Sequence, residues 1–343
     1  SVPVDPFKLN DYSTETPTSF EFIYKYNGIK YIYGFSATKE KICEEYLFHY
    51  PKGSKAQVFK RTGQEFSFIQ NKAFKQLISK AVAENQLYFS IANTMNESVC
   101  IEAMKFFTES IVFSREFEDI PGQIRFNYNN NNVLKSMKQY AQRADVGIID
   151  MKFDMKNTEI DVDDTIPENA PPELSRALEK FCSDNSQAKI QRNEIKARTY
   201  HTGVNKKGEL GQYELSLEDE SDGTHRLMAL APAIDRVIDN GGIFVADELE
   251  KGLHPLLTEY IVNKFQNSEI NKNHAQLIFT THDTEIMRQH FLDADQFYFV
   301  DKDRQTGESE LYSVDGLGKK SNADIRTGYL IGKFGGIPEL GDE

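Results

Sequence analysis

The chain has 343 residues, of which 53 are acidic and 40 basic, giving a formal net charge of -13 at pH 7. Its 39% hydrophobic and 27% charged residues are typical of a soluble globular protein with two lobes or one elaborated domain. The charge argues against a broadly basic nucleic-acid-binding surface, and only local basic clusters leave nucleic acid open as a partner. No apolar run approaches the roughly 18 residues that span a bilayer, so no membrane partner is expected.

The three cysteines, Cys43, Cys100 and Cys182, are scattered along the chain without a CxxC pair. An odd, scattered set is typical of reduced thiols and does not favour a disulfide framework or a zinc site. We therefore expect a cytoplasmic protein.

Residues 1–70 are predicted to form an antiparallel β lobe. Segments 19–25 and 29–35 alternate apolar and polar residues on either side of Asn27-Gly28, which is a strong signal for a tight hairpin. Two further strands, over 45–49 and 56–61, are expected to continue this antiparallel arrangement.

Residues 71–185 are predicted to form a helical, lid-like subdomain inserted into the fold. Apolar residues recur three and four positions apart in three segments, which predicts helices over 73–84, 97–113 and 133–144.

The second part of this subdomain contains an acidic stretch. Residues 146–153 alternate and are expected to form a strand, and a helix is predicted over 172–182. Between them, residues 157–172 combine clustered acids with three prolines, which indicates a solvated surface loop and not a metal site.

Residues 186–343 are predicted to form an α/β lobe. After two strands over 188–201 and 210–217, single helices alternate with strands, a pattern typical of a parallel sheet. The expected helices cover 223–240, 255–266 and 284–289, and the expected strands cover 243–246, 276–280, 296–300 and 310–313.

Two of these strands end in groups that carry chemistry. Strand 243–246 runs into Asp247 and Glu248, and strand 276–280 runs towards His282. The carboxyl ends of parallel strands share one edge of a sheet, where ligands bind in open α/β folds. Asp247 suits Mg²⁺ binding through water, Glu248 suits activation of a water molecule, and His282 suits a hydrogen bond to a phosphate. Each also has a plain structural interpretation as part of a helix-capping region.

Two further segments have both a structural and a functional interpretation. His254 lies between Gly252 and Pro255, where a turn starts a helix, so that on its own it is a turn residue. Ser221 and Gly223 precede an apolar-periodic helix, whose free N–H groups and dipole suit a phosphate but equally suit a plain N-cap.

The order of these motifs resembles the second half of an ABC-type ATPase head of the SMC/RecF/OLD branch. It is most similar to the small bacterial AAA-family ATP-binding proteins of anti-phage defence and abortive infection. The motif-bearing resemblance covers about residues 215–338, including the terminal segments 295–303 and 328–338, and the first half matches in layout. The resemblance implies an α/β ATPase head with an N-terminal antiparallel lobe and a helical insertion.

The resemblance also implies a role for each motif. Ser221, Gly223 and Arg226 correspond to the signature motif, Asp247 and Glu248 to Walker B, His254 to the D-loop and His282 to the switch histidine. In such heads ATP and Mg²⁺ are bound between two copies, and Glu248 and His282 would be catalytic. Asp247 would hold the metal, and Ser221, Gly223, Arg226 and His254 would contribute to cofactor binding.

The sequence departs from the family in two places. Asp222 stands where many ABC ATPases have a glycine, and no stretch matches the phosphate-binding pattern G-x-x-x-x-G-K-[ST]. The resemblance therefore predicts a head whose first strand and P-loop are missing from this chain.

The function expected from the resemblance is an ATPase switch or sensor. It would form a head-to-tail dimer or a higher homo-oligomer with ATP and regulate an effector, a nuclease or toxin, on a separate chain. A DNA-repair or chromosome-maintenance ATPase is an alternative, although no heptad run predicts coiled-coil arms. Alternatives from other classes are an inactive scaffold and a metal-dependent hydrolase using Asp247, His254, His282 and Asp283.

Overall fold

The computed structural model describes residues 1–117, 120–144, 147–160, 190–314 and 322–337. The chain divides into two units, one made of Ser1–Ile111 with Met287–Glu343 and the other of Val112–Ile286. The predicted boundaries fall at residues 70 and 185. The three-part division stays a prediction about functional organisation.

The first unit contains the antiparallel sheet expected from the sequence. A short helix α1 (Asp11–Glu15) precedes it, and its five strands pair in chain order: β1 (Thr18–Tyr26), β2 (Ile29–Ala37), β3 (Ile42–His49), β4 (Ala56–Thr62) and β5 (Glu65–Ser67). Asn27 and Gly28 both have positive φ angles, 46° and 79°, as the tight hairpin turn requires. The predicted hairpin is confirmed.

Three helices follow this sheet: α2 (Lys72–Ser79), α3 (Tyr88–Thr94) and α4 (Ser98–Lys105). They share an aromatic-rich core with the strands, in which Tyr31, Phe59 and Tyr88 are fully buried. Apolar side chains from both layers exclude water from this core, which is the main favourable contribution to its stability.

Two predicted helices in this region are wrong in extent, and helix α3 was not predicted. The helix expected over 97–113 continues after α4 as a π-helix over Phe106–Ser110, and only its last three residues differ, because they form β6 (Ile111–Phe113) in a sheet of the second unit. The helix expected over 73–84 ends at Ser79. Helix α3 was missed because Leu87, its N-cap residue, has no capping side chain.

A buried carboxylate from β3 caps α3 instead. The side chain of Glu45 accepts hydrogen bonds from the main-chain N–H groups of Tyr88 and Phe89, at 2.7 and 2.9 Å. Tyr33 also donates to it, and Arg61 lies 3.6 Å away as its buried counter-ion. Glu45 therefore joins the sheet to the helical layer.

After β6, the second unit continues with α5 (Ile120–Asn127) and α6 (Asn131–Ala144), followed by the antiparallel strands β7 (Ile148–Ile160), β8 (Ile190–Val204) and β9 (Leu210–Ser216). The predicted acidic loop over 157–172 is wrong for residues 157–160, which continue β7 in register with β8. The rest of that loop, the predicted helix over 172–182 and Cys182 lie outside the described residues. Cys43 and Cys100 are free thiols.

The second unit also contains a small sheet in the order β11-β10-β6. Helix α7 (Asp222–Asn240) leads into β10 (Ile243–Ala246), and α8 (Pro255–Gln266) connects it to the parallel strand β11 (Gln276–Phe279). The predicted parallel pair is confirmed. In the part of the chain that the structure describes, no strand pairs with the outer edge of β11, where Ile278 is 57% exposed. The predicted absence of a first strand and P-loop from this chain stays a prediction.

A polar network fixes α7 and α8 relative to α6. The carboxylate of Asp235 on α7 accepts from the hydroxyl of Tyr140 at 2.9 Å and from Nζ of Lys264 at 2.6 Å. One carboxylate therefore joins the helix that starts after Ser221 to the helix that starts after His254.

The last strands do not extend the parallel sheet, contrary to the prediction. Strands β12 (Tyr298–Lys302) and β13 (Ser309–Ser313) pair with each other as an antiparallel ribbon, and α9 (Asn322–Leu330) follows. The turn that joins them is too short for a parallel crossover, which needs about a dozen residues. Within the described ranges, no helix has the length and hydrophobicity needed to cross a membrane.

Candidate functional site

The candidate site lies in the second unit, where β10 and β11 end side by side. Ala246 is paired with Phe279, so Asp247 and Thr280 leave the sheet next to each other. The Thr280 hydroxyl donates to Oδ1 of Asp247 at 2.5 Å and accepts from the main-chain N–H of Glu248 at 2.8 Å. One hydroxyl thus orients the carboxylate of Asp247 and the backbone of Glu248 together.

Glu248 and His282 face each other across the two loops. Nε2 of His282 lies 3.7 Å from Oε1 of Glu248, and the side chains are 87% and 49% exposed, respectively. Two groups suited to proton transfer and phosphate binding are therefore accessible to a ligand from solvent.

Glu248 has a left-handed backbone conformation, with a φ angle of 47°. This conformation costs of order 1–3 kcal/mol for a non-glycine residue, and it is found at functional sites more often than elsewhere. The conformation persists here because neighbouring groups hold the peptides on both sides. The N–H of Glu248 is bonded to Thr280, and its carbonyl accepts from Lys251 N–H at 3.0 Å and from Arg226 at 3.2 Å.

Glu250 also connects these two loops, but here the side chain comes from the loop after β10 and the main-chain group from the loop after β11. Its Oε1 accepts the main-chain N–H of His282 at 2.8 Å, while its buried Oε2 has no hydrogen-bond partner. Burial raises the pKa of Glu250, but hydrogen bonds from His282 and from the Thr281 side chain outweigh it and lower the pKa below the ordinary value. Glu250 therefore accepts as a carboxylate at neutral pH.

The start of α7 packs against the turn that follows the carboxylates. Ser221 is the N-cap residue, and its hydroxyl accepts from the N–H of Thr224 at 3.1 Å. A Cβ atom on Gly223 would lie only 2.8 Å from the carbonyl oxygen of Gly252. Arg226 donates to the carbonyl of Glu248, and its buried Nε has no hydrogen-bond partner.

Replacing Gly223 by alanine should therefore lower stability by about 1–3 kcal/mol, the usual cost of forcing an extra methyl group into a packed contact. Helix propensity alone would give the opposite sign, since alanine is the better helix former by about 1 kcal/mol. Thermal unfolding measures the difference. Gly211→Ala is the matched control, because its Cβ would meet nothing closer than 3.7 Å. A stabilised Gly223→Ala variant would contradict this close packing.

His254 is used as a helix cap. Its Nδ1 accepts the N–H of Leu256 at 3.2 Å, and Pro255 occupies the first position of α8. This bond explains a histidine here by capping, and its predicted contribution to cofactor binding stays a prediction.

The carboxylate of Asp247 suits Mg²⁺ in its chemistry. It is exposed, it is oriented through Oδ1, and carboxylate oxygens are the ligands that this ion prefers. The four ligands of the hydrolase alternative are not assembled, because the described residues contain no group of three His, Cys, Asp or Glu side chains that could hold a metal ion.

The sequence identified Asp247, Glu248 and His282 but missed Thr280 and Glu250. Thr280 was assigned to the end of its strand, and Glu250 was given no role. Thr280 lies beside Asp247 because the register of the two strands pairs Ala246 with Phe279. That register exists only in the folded sheet, so the sequence carries no local signal for it.

Comparisons with known proteins agree with the resemblance drawn from the motifs. The family described as "AAA domain, putative AbiEii toxin, Type IV TA system" matches residues 1–288. A relative from Vibrio cholerae serotype O1 biovar El Tor, named "Retron Vc95 probable ATPase", is 29% identical over 122 residues. The matched stretch is 32% of this chain and 23% of the relative, so the chain spans less than a quarter of that protein's length. Because the family match extends over most of its residues, this chain belongs to the AAA-domain family related to toxin–antitoxin systems.

Proposed function

We propose that this chain is part of an ATP-hydrolysing head that pairs with a second copy on binding ATP and thereby regulates an effector on a separate chain. The observation that carries the proposal is the pair Glu248 and His282, 3.7 Å apart at the ends of two parallel strands and beside Asp247. Membership of an AAA-domain family supports ATP as the ligand.

The proposed reaction is attack of water on the γ-phosphate of ATP, which breaks the bond between that phosphate and the β-phosphate oxygen and releases ADP and phosphate. Glu248 accepts a proton from the attacking water as general base, and His282 donates a hydrogen bond that orients the phosphate. Asp247 would hold Mg²⁺, which would neutralise charge on the phosphates. The exposure of all three side chains is consistent with a ligand that approaches from the open face of the loops.

The start of α7 is proposed to contact ATP bound by the other copy. Ser221 is exposed, and the first turn of a 19-residue helix presents free N–H groups and the positive end of the helix dipole. ATP then completes an interface to which each copy contributes one face. Arg226, predicted to bind the cofactor, is proposed to link the two faces through its bond to the Glu248 carbonyl.

Ser221→Arg should abolish ATP-induced pairing while leaving ATP binding within about twofold, since a large cation at the helix start blocks only the face offered to the other copy. Light scattering with Mg²⁺ and ATP or ADP measures the pairing in the full-length protein, and a fluorescent nucleotide measures binding. The control is Ser54→Arg at an exposed serine before β4. Unchanged pairing of Ser221→Arg, or no difference between ATP and ADP, would contradict the dimer proposal.

The proposed effector is supported by the family description, which refers to a toxin and to a toxin–antitoxin system. Purification of the protein with its neighbouring gene products, with and without ATP, tests whether a separate chain binds in a nucleotide-dependent way.

A further inference from the structure

Two reciprocal hydrogen bonds join the loops that follow β10 and β11. Thr280, from the second loop, accepts the N–H of Glu248 in the first at 2.8 Å. Glu250, from the first loop, accepts the N–H of His282 in the second, also at 2.8 Å. Each loop therefore supplies one side chain that holds a main-chain group of the other loop.

The two N–H groups held in this way belong to the two residues of the proposed hydrolytic pair. A hydrogen bond to the main chain fixes the Cα position and so restricts where an exposed side chain can reach. This matters most for His282 and Glu248, because both side chains are largely accessible to solvent and their mutual distance of 3.7 Å is too long for a direct hydrogen bond.

Thr280 also contacts the side chain of Asp247. Its hydroxyl hydrogen donates to Oδ1 of Asp247 at 2.5 Å, so the Glu248 backbone and the Asp247 carboxylate share one partner. A hydroxyl can donate to the carboxylate and accept from the N–H through one oxygen atom at the same time. Replacing Thr280 by serine keeps both hydrogen bonds, whereas replacing it by valine keeps only the shape of the side chain.

We propose that Thr280 and Glu250 are positioning residues for ATP hydrolysis. Thr280 acts through Asp247 and Glu248, whereas Glu250 acts through His282. This inference rests on the proposed function. Neither side chain needs to touch the nucleotide, because each acts on the backbone or carboxylate of a residue that does. Residues that orient metal ligands in this way typically change metal affinity or activity by about 10–100-fold when they are replaced.

The first test compares Thr280→Val with Thr280→Ser in the full-length protein. The valine variant is expected to lower kcat about 10–100-fold with KM for ATP within about twofold, and serine should restore kcat to within about threefold. A second measurement does not depend on turnover: the Mg²⁺ concentration for half-maximal binding of a fluorescent ATP analogue should rise about tenfold in Thr280→Val alone. If Thr280 had only a structural role, its substitution would change the melting temperature of the variants and would leave the Mg²⁺ concentration for half-maximal binding unchanged.

The second test is a double-mutant cycle between Glu250 and His282. Glu250→Ala should lower kcat about tenfold, and Glu250→Gln should recover most of it, because the amide oxygen still accepts the N–H. In a His282→Ala background, Glu250→Ala should cause no further loss, since its effect passes through the histidine.

The outcomes separate this inference from the proposed function. No ATP hydrolysis by the unsubstituted protein contradicts both. Normal hydrolysis with an undiminished kcat in Thr280→Val contradicts the role of Thr280, and multiplicative losses in the Glu250 cycle contradict the role of Glu250. If Thr280→Val fails to fold, Thr280→Ala removes the same hydroxyl and takes its place in both measurements. If Glu250→Ala fails to fold, Glu250→Leu removes the same acceptor and takes its place in the cycle.

Discussion

Replacing Glu248 by glutamine is expected to lower ATP turnover by about 10²–10⁴-fold, the usual contribution of a general base. Glutamine keeps the size and the hydrogen-bonding oxygen of the side chain but cannot take a proton from water. ATP binding should stay within about twofold, because the amide removes only the function needed in the transition state. The ATP-bound pair should therefore accumulate instead of dissociating.

Single-turnover hydrolysis and light scattering measure these two effects on the same sample. The matched control is Glu269→Gln, the same chemical change at an exposed glutamate after α8 in the same unit. Turnover of Glu248→Gln at the level of this control would show that Glu248 is not the base. Loss of ATP binding would instead indicate that the substitution disturbs the left-handed backbone at this residue.

Glu45→Ala is expected to lower the free energy of unfolding by about 3–5 kcal/mol, the cost of removing one partner of a buried ion pair. The substitution leaves the fully buried Arg61 without its counter-ion and removes the acceptor for two N–H groups of α3. Chemical denaturation measures the loss. The neighbouring Glu44→Ala is the control, because Glu44 is exposed and its removal should change stability by less than about 0.5 kcal/mol.

The same residue should make stability depend on pH. Burial raises the pKa of Glu45 to about 7, against the opposing hydrogen bonds from Phe89 and Tyr88 and the charge of Arg61. Because the pKa of Glu45 in the folded protein lies above the ordinary value of 4.5, the folded protein binds this proton more tightly than the unfolded chain does. Protonation of Glu45 therefore contributes to the free energy of unfolding. That contribution is fully present below pH 4.5 and is lost as the pH rises through 7. The unfolding free energy of the unsubstituted protein should therefore fall relative to that of Glu45→Gln as the pH rises through 7. A difference that does not change with pH would contradict a raised pKa.

The parts of the fold that the sequence predicts correctly depend on local signals. Asn27-Gly28 identifies its hairpin because only residues that tolerate positive φ suit the turn. The strand before Asp247 is visible as a short apolar run that follows a capped helix. Each signal lies within the element that it predicts.

The elements that were missed depend on residues far away in sequence. Helix α3 starts at Tyr88 because Glu45 caps it, 43 positions earlier. Strand β6 continues an apolar pattern that also suits a helix, and its strand partner β10 lies in another part of the chain. The same holds for the site: Asp247 and Glu248 could be named from one motif, whereas the bond from Thr280 exists only once the two strands are in register.

The left-handed conformation of Glu248 has a consequence for choosing substitutions at this position. β-Branched residues are strongly disfavoured at positive φ, whereas asparagine and glycine tolerate it. A valine or isoleucine variant would therefore combine a rearranged loop with the loss of a carboxylate, and its inactivity would say little about chemistry. Aspartate, which also tolerates this conformation, shortens the side chain but keeps the carboxylate, so it separates the reach of the group from the shape of the loop.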